Sequence, residues 1–329
     1  MPLSAACSRV RRTQRWNSPT SSYAAISTHK ITKLIVTLYR DANPFAGAKL
    51  YVDPNSDAKQ QADAWRDSRP QDAAPMHKIA AQPTADWFGD WSSDVRSAVD
   101  ARVTTITSAG ALPVLVAYNI PLRDCSGYSA GGARSSEAYR AWIRAFVDGI
   151  GSRKAVVILE PDALAALDCL SPQDSAARIA LLKDAIEVLA TQQRISTYVD
   201  AGNAGWIEPA EMADRLSRVG ISRVRGFTLN VSNFKWTSDS ATYGRAISDL
   251  IGVKPFIIDT SRNGLGPDPD KQWCNPEGRG PALVPFPLPC PRQSHASTRS
   301  SGSNTRAVPT EPVTAHQRPV LGGPSTRLG

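Results

Sequence analysis

Five polar side chains of this 329-residue chain come at or just after the ends of short apolar runs. Four of the five are carboxylates. Paired carboxyl groups can cleave glycosides: one donates a proton to the leaving oxygen and, in inverting enzymes, the other activates water. Any one aspartate in such a position could simply end a strand or cap a helix. The recurrence favours a site made of Asp124, Asp162, Asp200, Asn230 and Asp259.

Asp162 is the candidate general acid. It follows the apolar run 156–159 almost directly, and Asp124 could lie beside it as a like charge. Apolar surroundings and a neighbouring negative charge both raise the pKa of a carboxyl group. We therefore expect Asp162 to keep its proton near neutral pH.

The scarcity of histidine excludes other chemistries. His77 is the only histidine between residues 41 and 280, and the five cysteines form no CxxC pair. Zinc sites and Ser-His-Asp triads need histidines that this region lacks. The sequence therefore predicts carboxylate chemistry without a metal or a cofactor.

Tryptophan is the second candidate functional residue type. The chain has eight tryptophans, and the apolar face of an indole ring suits the stacking of a sugar ring. Trp87, Trp206 and Trp273 lie in loop-like, polar sequence contexts, so we predict that they bind sugar. Structural packing is the alternative for each, whereas Trp142 lies inside a predicted helix and is expected in the core.

Alternating strand and helix patterns must position these residues. Short β-branched runs predict parallel strands that are covered on both faces, at 49–53, 112–120, 155–160, 196–200, 225–230 and 255–259. Helical patterns fall at 94–108, 137–150, 172–191, 209–219 and 241–251. This order predicts an α/β fold, a parallel βα barrel. The carboxyl ends of barrel strands converge on one mouth, where we expect the site.

The positive charge is concentrated in the two terminal segments. The formal net charge is +8, yet residues 1–40 hold seven Lys and Arg without an acidic residue, and residues 281–329 hold five Arg against one Glu. The region between them, 41–280, is mildly acidic, so neither nucleic-acid nor membrane binding is expected. We predict a poorly ordered basic segment at 1–40, a catalytic barrel at 41–280, and a disordered Pro/Ser/Arg-rich tail at 281–329.

Several motifs in order resemble glycoside hydrolase family 6, the cellobiohydrolases and endoglucanases that act on cellulose. The resemblance covers roughly residues 43–280. The motifs are NPFAG (43–47), YVDP (51–54), PVLVAYNIPLRDC (113–125), ILEPD (158–162), YVDAGNAGW (198–206), GFTLNVSN (226–233), IDTSRNG (258–264) and WCNP (273–276).

This resemblance implies a distorted, seven-stranded type of βα barrel that cleaves β-1,4-glucosidic bonds of cellulose or related β-glucans with inversion. It implies that Asp162 is the general acid and that Asp124 raises the pKa of this acid and orders the water. Tyr118 would push the bound sugar ring out of its relaxed chair. The implied substrate-binding residues are Trp87, Asp200, Trp206, Asn230 and Trp273.

The resemblance also implies a secreted enzyme, although no clear signal peptide is found at the start of the chain, and we expect a monomer. In the family pattern, Cys125 and Cys169 are the cysteines that we expect to bond with each other. Cys274 is expected to stay free or to pair with Cys290, because the family segment that carries its partner is missing.

From Gly280 onward the sequence departs from the family, as a reading-frame change would produce, so the barrel is expected to be incomplete at its C-terminal end. Two alternatives stay open. The chain could be a truncated remnant that is inactive or binds glucan without cutting it. It could also be a basic surface-binding protein that acts through its termini.

Overall fold

The fold is built on a parallel sheet. In a computed structural model, which describes residues 43–272, 274 and 276–281 and the backbone of 4–5 and 312–313, six strands run parallel to one another. Each lies beside its neighbour in sequence. The strands are β2 (Asp86–Phe88), β3 (Val114–Ala117), β4 (Ala155–Leu159), β5 (Ile195–Asp200), β6 (Gly226–Leu229) and β7 (Phe256–Asp259).

Helices connect these strands. A helical pair, α1 (Asp57–Trp65) and α2 (Pro70–Ala80), precedes β2. The helices α3 (Val95–Ser108), α4 (Ser136–Ile150), α5 (Pro172–Ala190), α6 (Pro209–Val219) and α7 (Thr237–Leu250) then alternate with the strands. Short 3₁₀ helices lie at Asp124–Ser126, Ala165–Cys169 and Ile221–Arg223. The predicted βα alternation is confirmed from residue 86 onward.

Local sequence signals fix the ends of several helices. The Ser171 hydroxyl accepts a hydrogen bond from the Asp174 N–H at 3.1 Å, and Pro172 occupies the first turn of α5. A proline fits this position because its missing N–H would have no partner inside the helix. At the end of α6, Gly220 takes a left-handed conformation with φ of 90°, which costs glycine little.

Both faces of the central strands are buried. Leu115, Val157 and Leu159 pack in one large apolar cluster with the helices, whereas Val116 and Ile158 belong to a second cluster on the other face. Burial on both faces explains the nearly continuous apolar runs of these strands. Packed side chains thus hold the strands whose carboxyl ends carry the predicted site.

The structure corrects three details of the predicted elements. The segment 49–53 is not a strand: Leu50 forms only an isolated bridge with Leu112. Sequence patterns also missed β2, which has three residues, and the pair α1 and α2, in which only Ala62, Ala73 and Ala80 are buried. Elements that bury so few side chains carry no apolar periodicity to detect.

The terminal segments lie largely outside the described residues. Two short exceptions pair with β7: β1 (Ser4–Ala5) is antiparallel to it and β8 (Pro312–Val313) is parallel to it. The predictions of a poorly ordered segment at 1–40 and a disordered tail at 281–329 concern residues that otherwise lie, Pro281 apart, outside the described part of the chain. In the described part of the chain, no helix is long and apolar enough to cross a membrane.

Candidate active site

The carboxyl ends of five neighbouring strands bring the predicted polar residues to one mouth. Asp200 and Asp259 are the last residues of β5 and β7, and Asn230 comes directly after β6. Asp162 follows β4, whereas Asp124 lies in the short helix Asp124–Ser126 after β3. The expected convergence of strand ends is therefore observed.

Asp162 has the electrostatic surroundings of a proton donor. Protein fills most of the space around its carboxyl group, although the residue keeps some exposure to solvent. This burial, and after it the negative charge of Asp124, raises the pKa of Asp162 to about 7. Both effects disfavour the charged form, so the carboxyl group holds a proton that it can transfer near neutral pH.

Asp200 holds the loop that carries Asp162. Its Oδ1 accepts hydrogen bonds from the Asp162 and Gly202 backbone N–H groups, both at 2.8 Å. Burial and the charges of Asp162 and Asp259 raise the pKa of Asp200 well above its usual range. Its Oδ2 is buried and has no hydrogen-bond partner among the described residues. Asp200 therefore fixes the backbone of the acid and keeps one carboxyl oxygen unused.

Asp124 lies in a tightly bound loop. Its Oδ2 accepts a hydrogen bond from the Ser129 N–H at 2.6 Å, which fixes the carboxylate relative to its own loop. From this place its negative charge acts on Asp162 and also on Tyr118. The structure thus brings the two candidate catalytic aspartates into electrostatic contact.

Tyr118 lies within electrostatic reach of both carboxylates. Its ring contacts Trp87 edge-on, with 5.1 Å between ring centroids, and the Arg123 guanidinium lies 4.5 Å from its ring centroid. Burial, followed by the negative charge of Asp162, raises the pKa of Tyr118. The phenol of Tyr118 therefore keeps its proton at acidic and neutral pH.

The candidate sugar-binding tryptophans differ in placement. Trp206 is 44% exposed, and its indole packs over Gly202. A Cβ atom at Gly202 would lie 2.8 Å from the Ala165 Cβ, so glycine is required there. The sequence context of Trp87 indicated a loop, but the residue lies in β2, where it is half-buried. Trp273 lies outside the described residues.

Asn230 is fully buried, which the sequence did not indicate. Its amide Nδ2 donates to the Asp259 carbonyl at 2.8 Å, and its Oδ1 accepts from the Lys235 N–H at 3.0 Å. Asp259 in turn accepts from the Ser232 and Ser261 N–H groups, both at 2.7 Å. Asn230 thus shapes the mouth through the backbone, because it has no surface of its own to offer a ligand.

Backbone strain is concentrated around the mouth. Ten non-glycine residues of the described chain have a positive φ, and eight of them lie in its loops. Each such conformation costs about 1–3 kcal/mol and persists only where surrounding contacts determine it fully. The eight are Leu122, Asp124, Cys125, Ser126, Glu160, Asp162, Asn230 and Ser232.

A disulfide joins the two loops that carry the candidate catalytic aspartates. Cys125 follows Asp124 directly, and it bonds to Cys169 with 6.2 Å between the Cα atoms. This is the pairing that the family resemblance implied. Cys274 is free and exposed, whereas Cys7 and Cys290 lie outside the described residues.

Two buried charged residues near the site were not predicted. Glu160 accepts hydrogen bonds from the backbone of Asn119 and Ile120, and burial raises its pKa to about 7. Its position directly after the apolar strand β4 was a usable signal. Arg178 of α5 binds backbone carbonyls of the same region. No sequence signal distinguishes Arg178 from the other polar residues of this helix.

Comparison with known proteins agrees with this arrangement. The sequence model of the family described as glycosyl hydrolases family 6 matches residues 45–285. Endoglucanase 1 of Streptomyces halstedii is 43% identical over 241 residues, which are 70% of this chain and 73% of that protein. Endoglucanase A of Cellulomonas fimi is 42% identical over 70% of this chain, which spans about half, 49%, of that relative.

A solved structure is also similar. The endoglucanase Cel6 from Mycobacterium tuberculosis, in complex with methyl-cellobiosyl-4-deoxy-4-thio-β-D-cellobioside, is 44% identical with a TM-score of 0.69. The match covers 72% of this chain and 81% of that one. The likeness confirms the expected fold class, the distorted parallel βα barrel. Since the family's sequence model matches well over half of the chain, and these relatives match it closely, the chain belongs to glycosyl hydrolases family 6.

Proposed function

We propose that this chain hydrolyses β-1,4-glucosidic bonds of cellulose or related β-glucans with inversion, and that Asp162 is the general acid. The observation that carries the proposal is the surroundings of Asp162, a carboxyl group at the mouth that is partly open to solvent. Burial and the negative charge of Asp124 raise its pKa to about 7. The names of the relatives, endoglucanases and cellobiohydrolases, support the substrate class.

In this mechanism, Asp162 donates its proton to the oxygen of the leaving sugar. Inversion requires that water attacks from the opposite face of the ring. Asp124 raises the pKa of the acid and helps to order this water, while Tyr118 pushes the bound ring out of its relaxed chair. Distortion of this kind brings the ground state closer to the oxocarbenium-like transition state.

The substrate is held by stacking and by a shaped surface. The exposed indole of Trp206 is suited to the apolar face of a sugar ring. Trp87 and Trp273 stay predicted sugar-binding residues, of which Trp273 lies outside the described residues. Asp200 and Asn230 support this surface from beneath, since both are buried. The partner is thus a glucan chain or a cello-oligosaccharide. We keep the expectations of a secreted monomer, without nucleic-acid or membrane partners.

The anomer that forms first tests this function. Proton NMR of freshly hydrolysed cello-oligosaccharide should show the α-anomer appearing before mutarotation, because inversion at a β-linked carbon gives an α product. Initial β-anomer would mean a retaining enzyme. Binding to insoluble cellulose without release of reducing sugar would mean a glucan-binding protein instead. Either result would overturn the proposal.

Replacing Asp124 with Asn should move the alkaline limb of the pH profile of kcat to lower pH. Asp162 must be protonated to act as an acid, and the negative charge of Asp124 is one cause of its raised pKa. Without that charge, Asp162 loses its proton at lower pH, so activity falls earlier as pH rises. The measurement is kcat on a soluble cello-oligosaccharide across pH 4 to 9.

The matched control is Asp168→Asn, which removes an exposed carboxylate from the loop after β4. We expect this variant to keep the alkaline limb of the parent. An Asp124→Asn profile that coincides with that of the parent would show that the two aspartates are not coupled in the reaction.

A further inference from the structure

We propose that Glu160 and Arg178 are positioning residues: a buried pair that grips the backbone of residues 119–122 and so sets the placement of Asp124 against Asp162. The inference rests on the proposed function in its choice of acid. It concerns residues that lie behind the catalytic loops and have almost no exposed surface, 1% for Glu160 and 3% for Arg178.

Glu160 holds the first half of the segment through its N–H groups. Its Oε2 accepts from both the Asn119 and the Ile120 N–H, each at 3.0 Å. These bonds connect the end of β4, two residues before Asp162, to the loop that leaves β3. The Asn119 carbonyl is also bound, by the Ala133 N–H at 2.9 Å.

Arg178 holds the second half through its carbonyl groups. One guanidinium nitrogen, Nη2, donates to the Pro121 carbonyl at 3.1 Å and to the Leu122 carbonyl at 2.6 Å. The other, Nη1, donates to the Ala163 carbonyl at 3.4 Å, next to Asp162. A planar, forked group can reach both loops at once, which a lysine ammonium on its single stem cannot do in the same way.

Other charged and titratable groups face the two residues. The negative charge of Glu160 acts on Arg178, and Arg123 and Tyr139 also face Glu160. Asp174 and Tyr118 are the other groups that act on Arg178. Glu160 is held by the two N–H groups and Arg178 by the three carbonyl groups, so each residue is fixed by the backbone that it binds.

The strained loop shows why such a grip is needed. Leu122, Asp124, Cys125 and Ser126 all have a positive φ, which non-glycine residues adopt only under constraint. The disulfide constrains this loop after Asp124, at Cys125, but not before it. Glu160 and Arg178 constrain residues 119–122, and the buried Arg123 is bound directly beside Asp124, so the aspartate is held from both sides.

The test is the Arg178→Lys variant, which keeps the charge and loses the fork. The titratable groups that face Asp162 are Asp124, Asp200 and Tyr118, and of these Asp124 raises its pKa. A loosened loop lets Asp124 move away and water enter. We expect kcat on a cello-oligosaccharide to fall roughly 10- to 100-fold with KM within about threefold, as small misplacements of reacting groups do. The alkaline limb should move to lower pH.

Carbon-13 NMR of labelled aspartate reads the same effect without any turnover. The Asp162 carboxyl resonance, assigned with Asp162→Asn, should titrate at lower pH in Arg178→Lys than in the parent. If the parent releases no sugar, the proposed function fails, and this titration still decides whether the pair positions the aspartates. Glu160→Gln provides a second variant, because its amide places an NH₂ donor where the second carboxylate oxygen, Oε1, now accepts from the Asn119 N–H. It should shift the Asp162 titration in the same direction, even if Arg178→Lys does not fold.

Arg215→Lys is the matched control. Arg215 is a buried arginine of α6 that binds the Leu164 and Ala165 carbonyls, in the loop of Asp162 only. It should lower the melting temperature without moving the Asp162 titration. An unchanged titration in both Arg178→Lys and Glu160→Gln would overturn the inference, as would an equal shift in Arg215→Lys.

Discussion

Replacing Asp162 with Asn should lower kcat on carboxymethylcellulose and on cello-oligosaccharides by roughly 10²–10⁴-fold, the usual contribution of a general acid. Asparagine has nearly the shape of aspartate and has no acidic proton to transfer. The backbone N–H of residue 162 can still donate to Asp200, so the loop should keep its conformation. KM should therefore stay within about threefold, which is the pattern of an interaction made only in the transition state.

A change of leaving group makes this prediction specific to proton donation. A dinitrophenyl cellobioside releases a phenolate that needs no proton, so Asp162→Asn should lose far less activity on it than on cellulose. Equal losses on both substrates would mean that Asp162 has another role. Turnover on cellulose within about threefold of the parent would refute the assignment. Coincident thermal melts of the two proteins are the control for folding.

The strand-end aspartates could be predicted because parallel strands leave a clear pattern. Runs that are buried on both faces are nearly all apolar, so a carboxylate at the end of such a run, or just after it, marks where the strand ends and the mouth begins. Asp162, Asp200 and Asp259 carry this signal, and the structure brings them together. The apolar runs predicted that these aspartates lie at strand ends. The parallel arrangement of the strands predicted that they lie close together.

The roles behind these residues could not be predicted in the same way. Whether Asn230 faces a ligand or the backbone depends on the loop that folds over it, and this loop ends at Lys235 with hydrogen bonds to the amide. Arg178 lies 56 residues from Leu122 in sequence, so no local pattern connects them. Trp87 was placed in a loop because β2 is too short to alternate.

Removing the disulfide should reduce the stability of the fold substantially. Cys125 and Cys169 are 44 residues apart, and closing a loop of that length stabilises by about 4 kcal/mol in the chain-entropy model. For a domain of this size, the Cys125→Ser, Cys169→Ser double variant should melt about 8–16 °C lower than the parent. The measurement is a thermal melt followed by circular dichroism, with protein prepared under oxidising conditions.

The free and exposed Cys274 provides the matched control, since Cys274→Ser removes a thiol that constrains nothing in the described fold. It should melt with the parent, and a reductant should lower the melting temperature of the parent but leave that of the double variant unchanged.

The same comparison separates the two sources of constraint on the catalytic loop. Because Glu160 and Arg178 still grip residues 119–122, the double variant should lose stability while its Asp162 carboxyl titrates close to the parent. A double variant with the melting temperature of the parent would show that this bond does not stabilise the fold. If its Asp162 carboxyl titrates at a pH as low as in Arg178→Lys, then the disulfide, not the buried pair, places Asp124.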